Sequence, residues 1–292
     1  MLHTLKNEIL TVTVEDYGAE LKSIKSSMNG TDYLFDGDPK WWRYTSPVLF
    51  PIVGKLVGGK YRAEGREFEL PQHGFGRISN FTCIRETVDE ITFQLNWSSE
   101  TLKVYPYKFQ LEVAYILKSN KIEVIWTVRN VDDKDIYFSI GAHPALKCPI
   151  LENESFEDYY LKFNVAENSS RILLSPSGTL SHERIPTIDG NELNLNYDIF
   201  KSDALVFDNL KSDEISLCSR KGSKSIKIRA KGFPFWGIWT PAQGGAPFLC
   251  IEPWLGHADF DDFMGDIAEK DGIIKLLVSE SFDAGYTFII EE

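Results

Sequence analysis

The sequence predicts an all-β fold, a large antiparallel β-sandwich or barrel-like sandwich with few short helices. Apolar and polar residues alternate strictly in several stretches, which is typical of half-buried strands. Short polar or glycine-containing turns separate these stretches. The chain has 292 residues, 43% of them hydrophobic, enough for a sizeable core. No linker and no repeat of fixed period divides the sequence, so we expect one domain over residues 1–292.

Three consecutive stretches, ITFQLNWS, FQLEVAYIL and KIEVIWTV, alternate most clearly. Their predicted buried faces are Ile91, Phe93, Leu95 and Trp97; Phe109, Leu111, Val113, Tyr115 and Leu117; and Ile122, Val124, Trp126 and Val128. The short turn KSNK joins the last two stretches, so they should form an antiparallel hairpin. Two more hairpins are predicted in YRAEGREFEL, turning at Glu64–Gly65, and in EISLCSRKGSKSIKIRA, turning near Lys221–Gly222. EILTVTVE, FWGIWT, PFLCIE and YTFII are further predicted strands.

Two stretches carry helix signals. SSETLKVYPY begins with a serine of the capping type and ends before Pro106, which predicts a short helix. DFMGDIAE is interpreted as a short helix or a turn.

Charge and cysteine usage exclude several classes of function. The net charge of −12 argues against a nucleic-acid or anionic membrane surface as partner. No apolar run reaches the ~18 residues that a membrane-spanning helix needs. The start, MLHTLKNEIL, lacks the apolar segment of a secretory signal, so we expect a cytoplasmic location. Cys83, Cys148, Cys218 and Cys250 are scattered without a C-x-x-C pair, so we expect free thiols and no zinc or iron–sulfur site.

Five stretches place polar groups among aromatic residues and glycines, an arrangement typical of a cleft. They are WWRYTSPVLFPIVGKL, LPQHGFGR, FSIGAHPAL, KSDALVF and CIEPWLGHADF. Their candidate side chains are Trp41, Trp42, Lys55, His73, Arg77, His143, Asp203 and Glu252. Pro144 disfavours a helical conformation at His143. Glu252 is expected to end an apolar strand before Pro253 and to be buried, so it needs a partner or a raised pKa.

Each candidate also has an ordinary structural interpretation. His73 and Asp203 fit surface turns, and His143 fits a hydrogen-bonded core histidine. Lysines such as Lys55 usually face solvent, and tryptophans usually belong to the core.

Together the candidates favour proton transfer on a sugar. Imidazole and carboxylate groups can exchange protons near neutral pH. No serine or cysteine lies in a nucleophile-elbow setting, and no G-x-G-x-x-G opens a helix, so no nicotinamide cofactor is expected. Indole rings stack on the C–H face of a sugar while charged groups bind its hydroxyls.

Five motifs, SPVLFPIVGKL, LPQHGFGR, IGAHPAL, SDALVF and IEPWLG, occur in this order between Ser46 and Gly256. In this combination the sequence resembles the aldose 1-epimerase (galactose mutarotase-like) family, in particular its shorter LacX-like branch. The resemblance implies an antiparallel β-supersandwich with an open sugar cleft. It also implies an isomerase that interconverts the α and β anomers of an aldose without metal or other cofactor.

The same resemblance implies roles for the candidate residues. Glu252 matches the general base, His143 the general acid, and His73 a second histidine that assists at the ring oxygen. Asp203 matches the aspartate that binds the substrate. We expect a small-molecule sugar as the only ligand, bound by a monomer or a homodimer.

Two positions depart from the family pattern. The family's arginine after a glycine corresponds to Lys55, a point charge that cannot make the same bidentate contact. HGFGR stands where HGFAR is expected, and its Arg77 is a candidate at the rim of the cleft. Trp42 completes the predicted substrate contacts.

Three other functions remain open from the sequence. A sugar-binding or sensing protein without catalysis would keep the aromatic residues and Asp203. A glycoside hydrolase would need Glu252 and Asp203 as paired carboxylates and would leave His143 without a role. A metal enzyme using His73, His143 and Glu252 is a weaker alternative. The sugar itself, whether free galactose or glucose, a hexose 6-phosphate or another aldose, is also left open.

Overall fold

Twenty-two β-strands run through the computed structural model, which describes residues 1–292. In chain order the strands are β1 Leu2–Lys6, β2 Leu10–Glu15, β3 Glu20–Ser26, β4 Val48–Leu49, β5 Lys60–Ala63, β6 Arg66–Glu69, β7 Thr82–Glu86, β8 Glu90–Asn96, β9 Phe109–Lys118, β10 Lys121–Asn130, β11 Ile136–Phe138, β12 Ile140–Ala142, β13 Ala145–Lys147, β14 Tyr159–Leu174, β15 Leu180–Asn194, β16 Leu205–Phe207, β17 Glu214–Ser219, β18 Ser225–Arg229, β19 Phe235–Trp239, β20 Phe248–Leu255, β21 Ile274–Leu276 and β22 Ser281–Glu291.

Helical structure is confined to short turns. The one α-helix, α1, covers Thr101–Val104, and 3₁₀ turns cover Val57–Gly59, Gly76–Ile78, Phe156–Asp158, Tyr197–Phe200 and Ile267–Glu269. None of these has the length and hydropathy of a helix that crosses a membrane.

Fifteen strands form one large antiparallel sheet. Its main path runs β4-β12-β20-β19-β16-β14-β17-β18-β22-β10-β9-β8-β7, with β13 beside β20 and β15 beside β14. A second sheet has the order β1-β2-β3, and β5-β6 and β11-β21 form two-stranded ribbons. Strands hold 51% of the residues and helices 7%, which confirms the predicted all-β supersandwich.

The predicted hairpins are confirmed as β9–β10, β5–β6 and β17–β18. The turn of β5–β6 has φ values of 53° at Glu64 and 72° at Gly65, as a tight two-residue hairpin turn requires. Trp97 is a correction, because β8 ends one residue before it and its side chain is 38% exposed at the end of the sheet. Lys108 Nζ lies 5.5 Å from the centroid of that ring.

Both helix predictions are confirmed as single turns. The hydroxyl of Ser98 accepts a hydrogen bond from the backbone N–H of Thr101 at 3.2 Å, and α1 ends before Pro106. Asp266 and Glu269 form a capping box around the turn Ile267–Glu269.

The main core fills the space between the three-stranded sheet and the large sheet. It is one cluster of 64 buried residues that includes Val12 and Ile24 from the small sheet and Phe93 and Tyr115 from the large one. The Tyr115 hydroxyl donates a hydrogen bond to the carbonyl of Ala19 at 2.7 Å, so the one polar group on this large ring is satisfied inside the core.

The opposite face of the large sheet carries the candidate residues. On β20, Leu249 and Ile251 belong to the main core, so Cys250, Glu252 and Trp254 point to the other side because side chains alternate along a strand. Two small apolar clusters lie on this second face, one containing Cys250 and one containing Trp254. Glu252 therefore lies between them, buried but outside the main core.

Glu252 does not end its strand as the sequence predicted, since β20 continues through Pro253 to Leu255. The N–H of Ile251 points to the carbonyl of Pro144, which lies in the break between β12 and β13. Pro253 is two residues further on, so its nitrogen faces the same break. No ladder hydrogen bond is needed there, which lets proline lie inside a central strand.

The four cysteines, Cys83, Cys148, Cys218 and Cys250, are free thiols. Burial raises the pKa of each of them. They therefore remain protonated, unreactive thiols near neutral pH.

Candidate active site

A cleft with a volume of about 480 Å³ opens on the second face of the large sheet. Its size is typical of a site for a small organic ligand. All the residues predicted as catalytic or substrate-binding line it, namely Trp42, Lys55, His73, Arg77, His143, Asp203 and Glu252. Trp41 lines an adjoining groove. The fold thus gathers residues separated by more than two thirds of the chain.

The histidine and the glutamate meet because of a local break in the sheet. His143 and Pro144 occupy the interval between β12 and β13, both of which pair with β20. His143 donates its backbone N–H to the carbonyl of Pro47 at 3.2 Å. Its Nε2 lies 3.2 Å from Oε2 of Glu252, and both side chains are almost fully buried.

The carboxylate of Glu252 has no hydrogen bond within the protein. The contact with His143 is not a hydrogen bond, and Glu252 Oε2, His143 Nδ1 and Trp254 Nε1 are buried without a partner. Buried polar groups are normally satisfied. Their concentration here marks a site that is not optimised for the stability of the fold.

Burial raises the pKa of Glu252 well above its ordinary value, and the negative charge of Asp203 adds to the effect. The indole N–H of Trp254 forms no hydrogen bond with the carboxylate, but its proximity favours the charged form, and burial outweighs this effect. A carboxylate with a raised pKa is a stronger base, which suits it better to abstract a proton near neutral pH.

The pKa of His143 is lowered, chiefly by burial and further by the positive charge of Arg77. Both shifts favour a proton on Glu252 over a proton on His143. Because the two groups are in contact, they titrate as a unit. A sugar hydroxyl that donates to the carboxylate would favour its charged form and release the proton to His143.

Three rings hold the imidazole of His143 in place. The ring of Trp42 is tilted against it with centroids 4.5 Å apart, while His73 and Trp239 meet it edge-on at 5.4 and 5.7 Å. This packing fixes the direction in which Nε2 points.

His73 is held in one neutral tautomer. The backbone N–H of Gly54 donates to its Nδ1 at 3.1 Å, and its own backbone N–H donates to the carbonyl of Gly54 at 2.9 Å. Since Nδ1 accepts, the ring proton resides on Nε2. Burial and the charge of His143 lower the pKa of His73 well below its ordinary value. His73 therefore carries its one N–H at Nε2, which lies 3.2 Å from the side-chain amide of Gln72 at the wall of the cleft.

The backbone at His73 is strained. His73 has a φ of 67° and the next residue, Gly74, has a φ of 68°. A Cβ at Gly74 would lie 2.4 Å from the carbonyl oxygen of Phe50, so only glycine fits. Strain of this kind persists where the surrounding structure enforces it, often at functional sites.

Asp203 lies at the exposed rim of the cleft, also with a left-handed backbone, at φ 69°. Its Oδ1 accepts a hydrogen bond from the N–H of Ala204 at 2.8 Å, and β16 begins two residues later. One carboxylate oxygen thus orders the local turn, and the other is free for a ligand.

Three cations line the same cleft without a carboxylate partner. The guanidinium of Arg43 donates to the Tyr44 hydroxyl at 2.7 Å, and that of Arg77 donates to the carbonyl of Gln72 at 2.8 Å. Both lie 4.9 Å from the centroid of the Tyr44 ring. Neither they nor Lys55 form a salt bridge, although acidic residues exceed basic ones by twelve in this chain.

Lys55 contacts the hairpin that closes one side of the cleft. Its Nζ donates to the carbonyl of Ser177 at 3.1 Å, in the turn between β14 and β15. Gly178 lies against the lysine stem, and a Cβ there would be 2.8 Å from Nζ. Lys55 therefore anchors this turn beside the cleft.

Several lining residues were not singled out from the sequence. They are Arg43, Tyr44, Gln72, Trp239 and Trp254. Alternation along the strands could have identified Trp239 and Trp254, because each faces away from the main-core positions of its strand. The other three lie in loops beside predicted residues. Loops have no regular alternation from which the direction of a side chain could be predicted.

His143, Cys250 and Glu252 also bring three potential metal-ligand atoms within 4.8 Å of one another. Burial and the charge of Glu252 raise the pKa of the Cys250 thiol well above its ordinary value. A metal would bind the thiolate, so an ion at this set would first have to displace the proton of the Cys250 thiol.

Comparison with known proteins agrees with this geometry. A family model described as aldose 1-epimerase matches residues 1–263. The chromosomal protein LacX of Lactococcus lactis subsp. lactis is 34% identical over 295 aligned residues, which cover 98% of each chain.

Solved structures resemble the whole chain. The X-ray structure of a galactose mutarotase related enzyme from Lactobacillus acidophilus has 34% identity and a TM-score of 0.96, covering 100% of this chain and 98% of that one. A galactose mutarotase-like protein from Lactobacillus casei has 28% identity and a TM-score of 0.94, with 100% of both chains covered.

Proposed function

The chain belongs to the aldose 1-epimerase family, and on that premise we propose that it interconverts the α and β anomers of an aldose or aldose phosphate. One observation carries the proposal: Nε2 of His143 lies 3.2 Å from Oε2 of Glu252 in a cleft of small-molecule size. A base and an acid this close can serve two adjacent oxygen atoms of one sugar.

In the proposed reaction the carboxylate of Glu252 removes the proton from the C1 hydroxyl. The C1–O1 bond becomes a carbonyl as the bond between C1 and the ring oxygen breaks, and His143 delivers a proton to that ring oxygen. The free aldehyde rotates about C1–C2. Reclosure on the other face reverses both proton transfers, so the pair returns to its starting state without a cofactor.

His73 assists in this scheme as a hydrogen-bond donor. Its Nε2 carries the ring proton because Gly54 occupies Nδ1, and the side-chain amide of Gln72, 3.2 Å from Nε2, would give way to the sugar. A donor directed at the ring oxygen stabilises the negative charge that develops there. Its lowered pKa suits it to donating a hydrogen bond rather than exchanging the proton.

The remaining lining residues are proposed to hold the sugar. The exposed carboxylate of Asp203 would accept hydrogen bonds from hydroxyl groups, and the indole of Trp42 would contact the C–H face of the ring. Arg77 and Lys55 would also contact the sugar, and their charge, which no carboxylate neutralises, suits a phosphate group as well as hydroxyls. We further propose a cytoplasmic monomer or homodimer.

NMR exchange spectroscopy on a panel of free aldoses and aldose 6-phosphates tests the proposal. We expect the purified protein to accelerate anomer exchange of at least one of these sugars above the rate in buffer, in the presence of EDTA. A sugar that binds but exchanges no faster than in buffer, across the whole panel, would instead identify a binding protein.

A further inference from the structure

A lysine and an aspartate behind the wall of the cleft form an ion pair that is closed off from solvent. Nζ of Lys270 lies 2.6 Å from Oδ1 of Asp259, and the two side chains are 2% and 3% exposed. No other ion pair of a lysine or an arginine has both partners buried. A buried ion pair adds little net stability compared with apolar residues of the same size, so its effect on the fold lies in what it holds in place.

Asp259 uses each of its polar groups to hold another part of the chain. Its second carboxylate oxygen, Oδ2, accepts the backbone N–H of Val57 at 2.9 Å. Its backbone N–H donates to the carbonyl of Lys55 at 2.8 Å, and its carbonyl accepts the N–H of Leu180 at 2.8 Å. Lys55 and Leu180 line the cleft. Asp259 thus ties the loop before β5 and the start of β15 to one point.

The loop that Asp259 holds is also the loop that sets the tautomer of His73. Gly54, directly before Lys55, donates its N–H to Nδ1 of His73 at 3.1 Å and accepts the backbone N–H of His73 at 2.9 Å. Gly54 also packs against Ala258, the neighbour of Asp259, because a Cβ on Gly54 would lie 2.5 Å from the Cβ of Ala258. A displacement of Asp259 would therefore reach His73 through Gly54.

Lys270 keeps the carboxylate of Asp259 in the position that binds the loop. Its Nζ binds Oδ1, and Val57 binds Oδ2, so each carboxylate oxygen is held by a different segment. Lys270 directly follows the capped 3₁₀ turn Ile267–Glu269, and its backbone N–H donates to the carbonyl of Ile267 at 3.2 Å. The ammonium group therefore reaches Asp259 from a separate and ordered element.

We propose that the Asp259–Lys270 ion pair is a positioning device, which holds the segment 54–57 and through it keeps the N–H of His73 in place. Neither residue lines the cleft, so both act through other residues. Their effect on catalysis rests on the proposed function, whereas their control of the His73 tautomer does not.

Three variants separate the hydrogen bond to the loop from the buried charges. Lys270→Met removes the ammonium group and keeps an unbranched side chain. The double variant Asp259→Asn/Lys270→Met removes both charges, and its amide oxygen can still accept the N–H of Val57. Val57→Pro deletes that N–H without changing any charge.

Val57→Pro is compatible with the local backbone. Val57 is the second residue of a β-turn, which the N–H of Gly59 closes on the carbonyl of Leu56 at 3.0 Å. Proline is favoured at this position of a turn. Leu56 has an extended backbone, with φ −94° and ψ 152°, as the residue before a proline requires.

Long-range proton–nitrogen NMR spectra report the tautomer of His73, and NMR exchange of the sugar anomers measures kcat. The wild-type protein should show one tautomer, with the proton on Nε2. Lys270→Met should show a mixture and lose about 10–100-fold in kcat, because a buried carboxylate without its cation turns toward water or takes up a proton. Val57→Pro should do the same. The double variant should restore the single tautomer and recover kcat to within a few fold.

Glu167→Gln is the matched control. Glu167 is another buried carboxylate that holds a loop, because its Oε1 accepts the backbone N–H groups of Lys211 at 2.9 Å and of Ser212 at 2.7 Å. It does not line the cleft. Glu167→Gln should lower the melting temperature and leave both the His73 tautomer and kcat unchanged.

The proposal is overturned if Lys270→Met and Val57→Pro keep the single tautomer of His73 and near-parental kcat, since the ion pair would then be structural only. A double variant as impaired as Lys270→Met overturns it too, because the N–H of Val57 would then be held without effect. If Lys270→Met fails to fold, Val57→Pro decides the question, since it leaves the ion pair intact. A wild-type protein without anomer exchange would remove the proposed function, and the His73 spectra would still test the positioning.

Discussion

At the scale of single residues, the proposed chemistry depends on one proton shared by Glu252 and His143. Burial raises the pKa of the Glu252 carboxyl well above its ordinary value and lowers the pKa of the His143 imidazole to about 3. Between these two values the pair carries one proton. Above the raised pKa of Glu252 it carries none, and no proton is left for the ring oxygen.

This gives a prediction for the pH dependence of kcat/KM. The rate should be level in mildly acidic solution and should fall as the pH rises through the raised pKa of Glu252. NMR exchange rates, corrected at each pH for exchange in buffer, provide the measurement. A rate that instead rises steadily from acid to alkali would mean that Glu252 acts alone, with the ordinary behaviour of a base.

Sequence motifs identified His73 and Asp203, but not how each is held. Both adopt a left-handed backbone conformation. The residue type alone does not predict this conformation for a histidine or an aspartate. The contact of Lys55 with Ser177 joins residues 122 positions apart. Such a contact depends on where a distant hairpin packs, so no local pattern could have predicted it.

At the scale of elements, the site is built from β20 and its two neighbours. The break between β12 and β13 supplies His143, and β19 supplies Gly237 directly opposite Glu252. A Cβ at Gly237 would lie 2.3 Å from the indole of Trp254. The absence of a side chain at this position therefore allows Trp254 to lie beside the carboxylate.

Gly237→Ala should consequently lower both stability and anomer exchange. Forcing a methyl group into this contact costs about 1–3 kcal/mol and displaces Trp254 from Glu252. Thermal unfolding and NMR exchange measure the two effects. Gly222→Ala is the matched control, because a Cβ there meets nothing closer than 3.4 Å. Parental stability and rate in Gly237→Ala would show that Trp254 moves freely and does not shape the site.

Alternation in the sequence predicted these strands well but could not order them. Alternate residues of β9 and β10 are buried as predicted. Side chains of a strand alternate between its two faces, so the apolar positions identify the buried face. Pro253 misled the prediction for β20 because proline usually ends a central strand. Pro253 is tolerated because it faces the break between β12 and β13. That break lies in a different part of the chain, so the sequence around Pro253 could not predict it.

At the scale of the whole molecule, the buried carboxyl of Glu252 lowers stability at neutral pH. Its folded-state pKa lies above the ordinary value of 4.5. Above pH 4.5 the unfolded chain releases this proton while the folded protein retains it, so stability falls as the pH rises toward the folded pKa. His143, with its lowered pKa, contributes the opposite slope below its ordinary value of 6.5.

Glu252→Gln should therefore melt at a higher temperature than the wild-type protein at pH 8. The amide cannot ionise, so it carries no penalty for burial of a charge. The difference should shrink toward pH 5, where the wild-type side chain is protonated. Melting curves at both pH values check this, and an equal or lower melting temperature at pH 8 would show that the carboxylate is stabilised by its surroundings.

Motifs in the sequence indicated an acid, a base and sugar-binding aromatic residues of one cleft, but not how the fold brings them together. Trp42, His143, Asp203 and Glu252 lie on loops and strands whose neighbours in the large sheet are far away in the chain. The order of strands in a sheet is set by long-range pairing, which leaves little trace in any single segment. Resemblance to a family supplied what local physics could not.

The most direct test of the central claim separates catalysis from binding at the proton-transferring pair. NMR exchange and calorimetry are measured for the wild-type protein, Glu252→Gln, His143→Asn and Asp203→Ala with the best substrate of the panel. Glu252→Gln and His143→Asn should each lose roughly 10²–10⁴-fold in exchange rate while affinity changes by only a few fold. Asp203→Ala should mainly raise KM, by about 10–150-fold. Near-parental exchange in Glu252→Gln, with exchange abolished in Asp203→Ala, would contradict the assignment of Glu252 as the base.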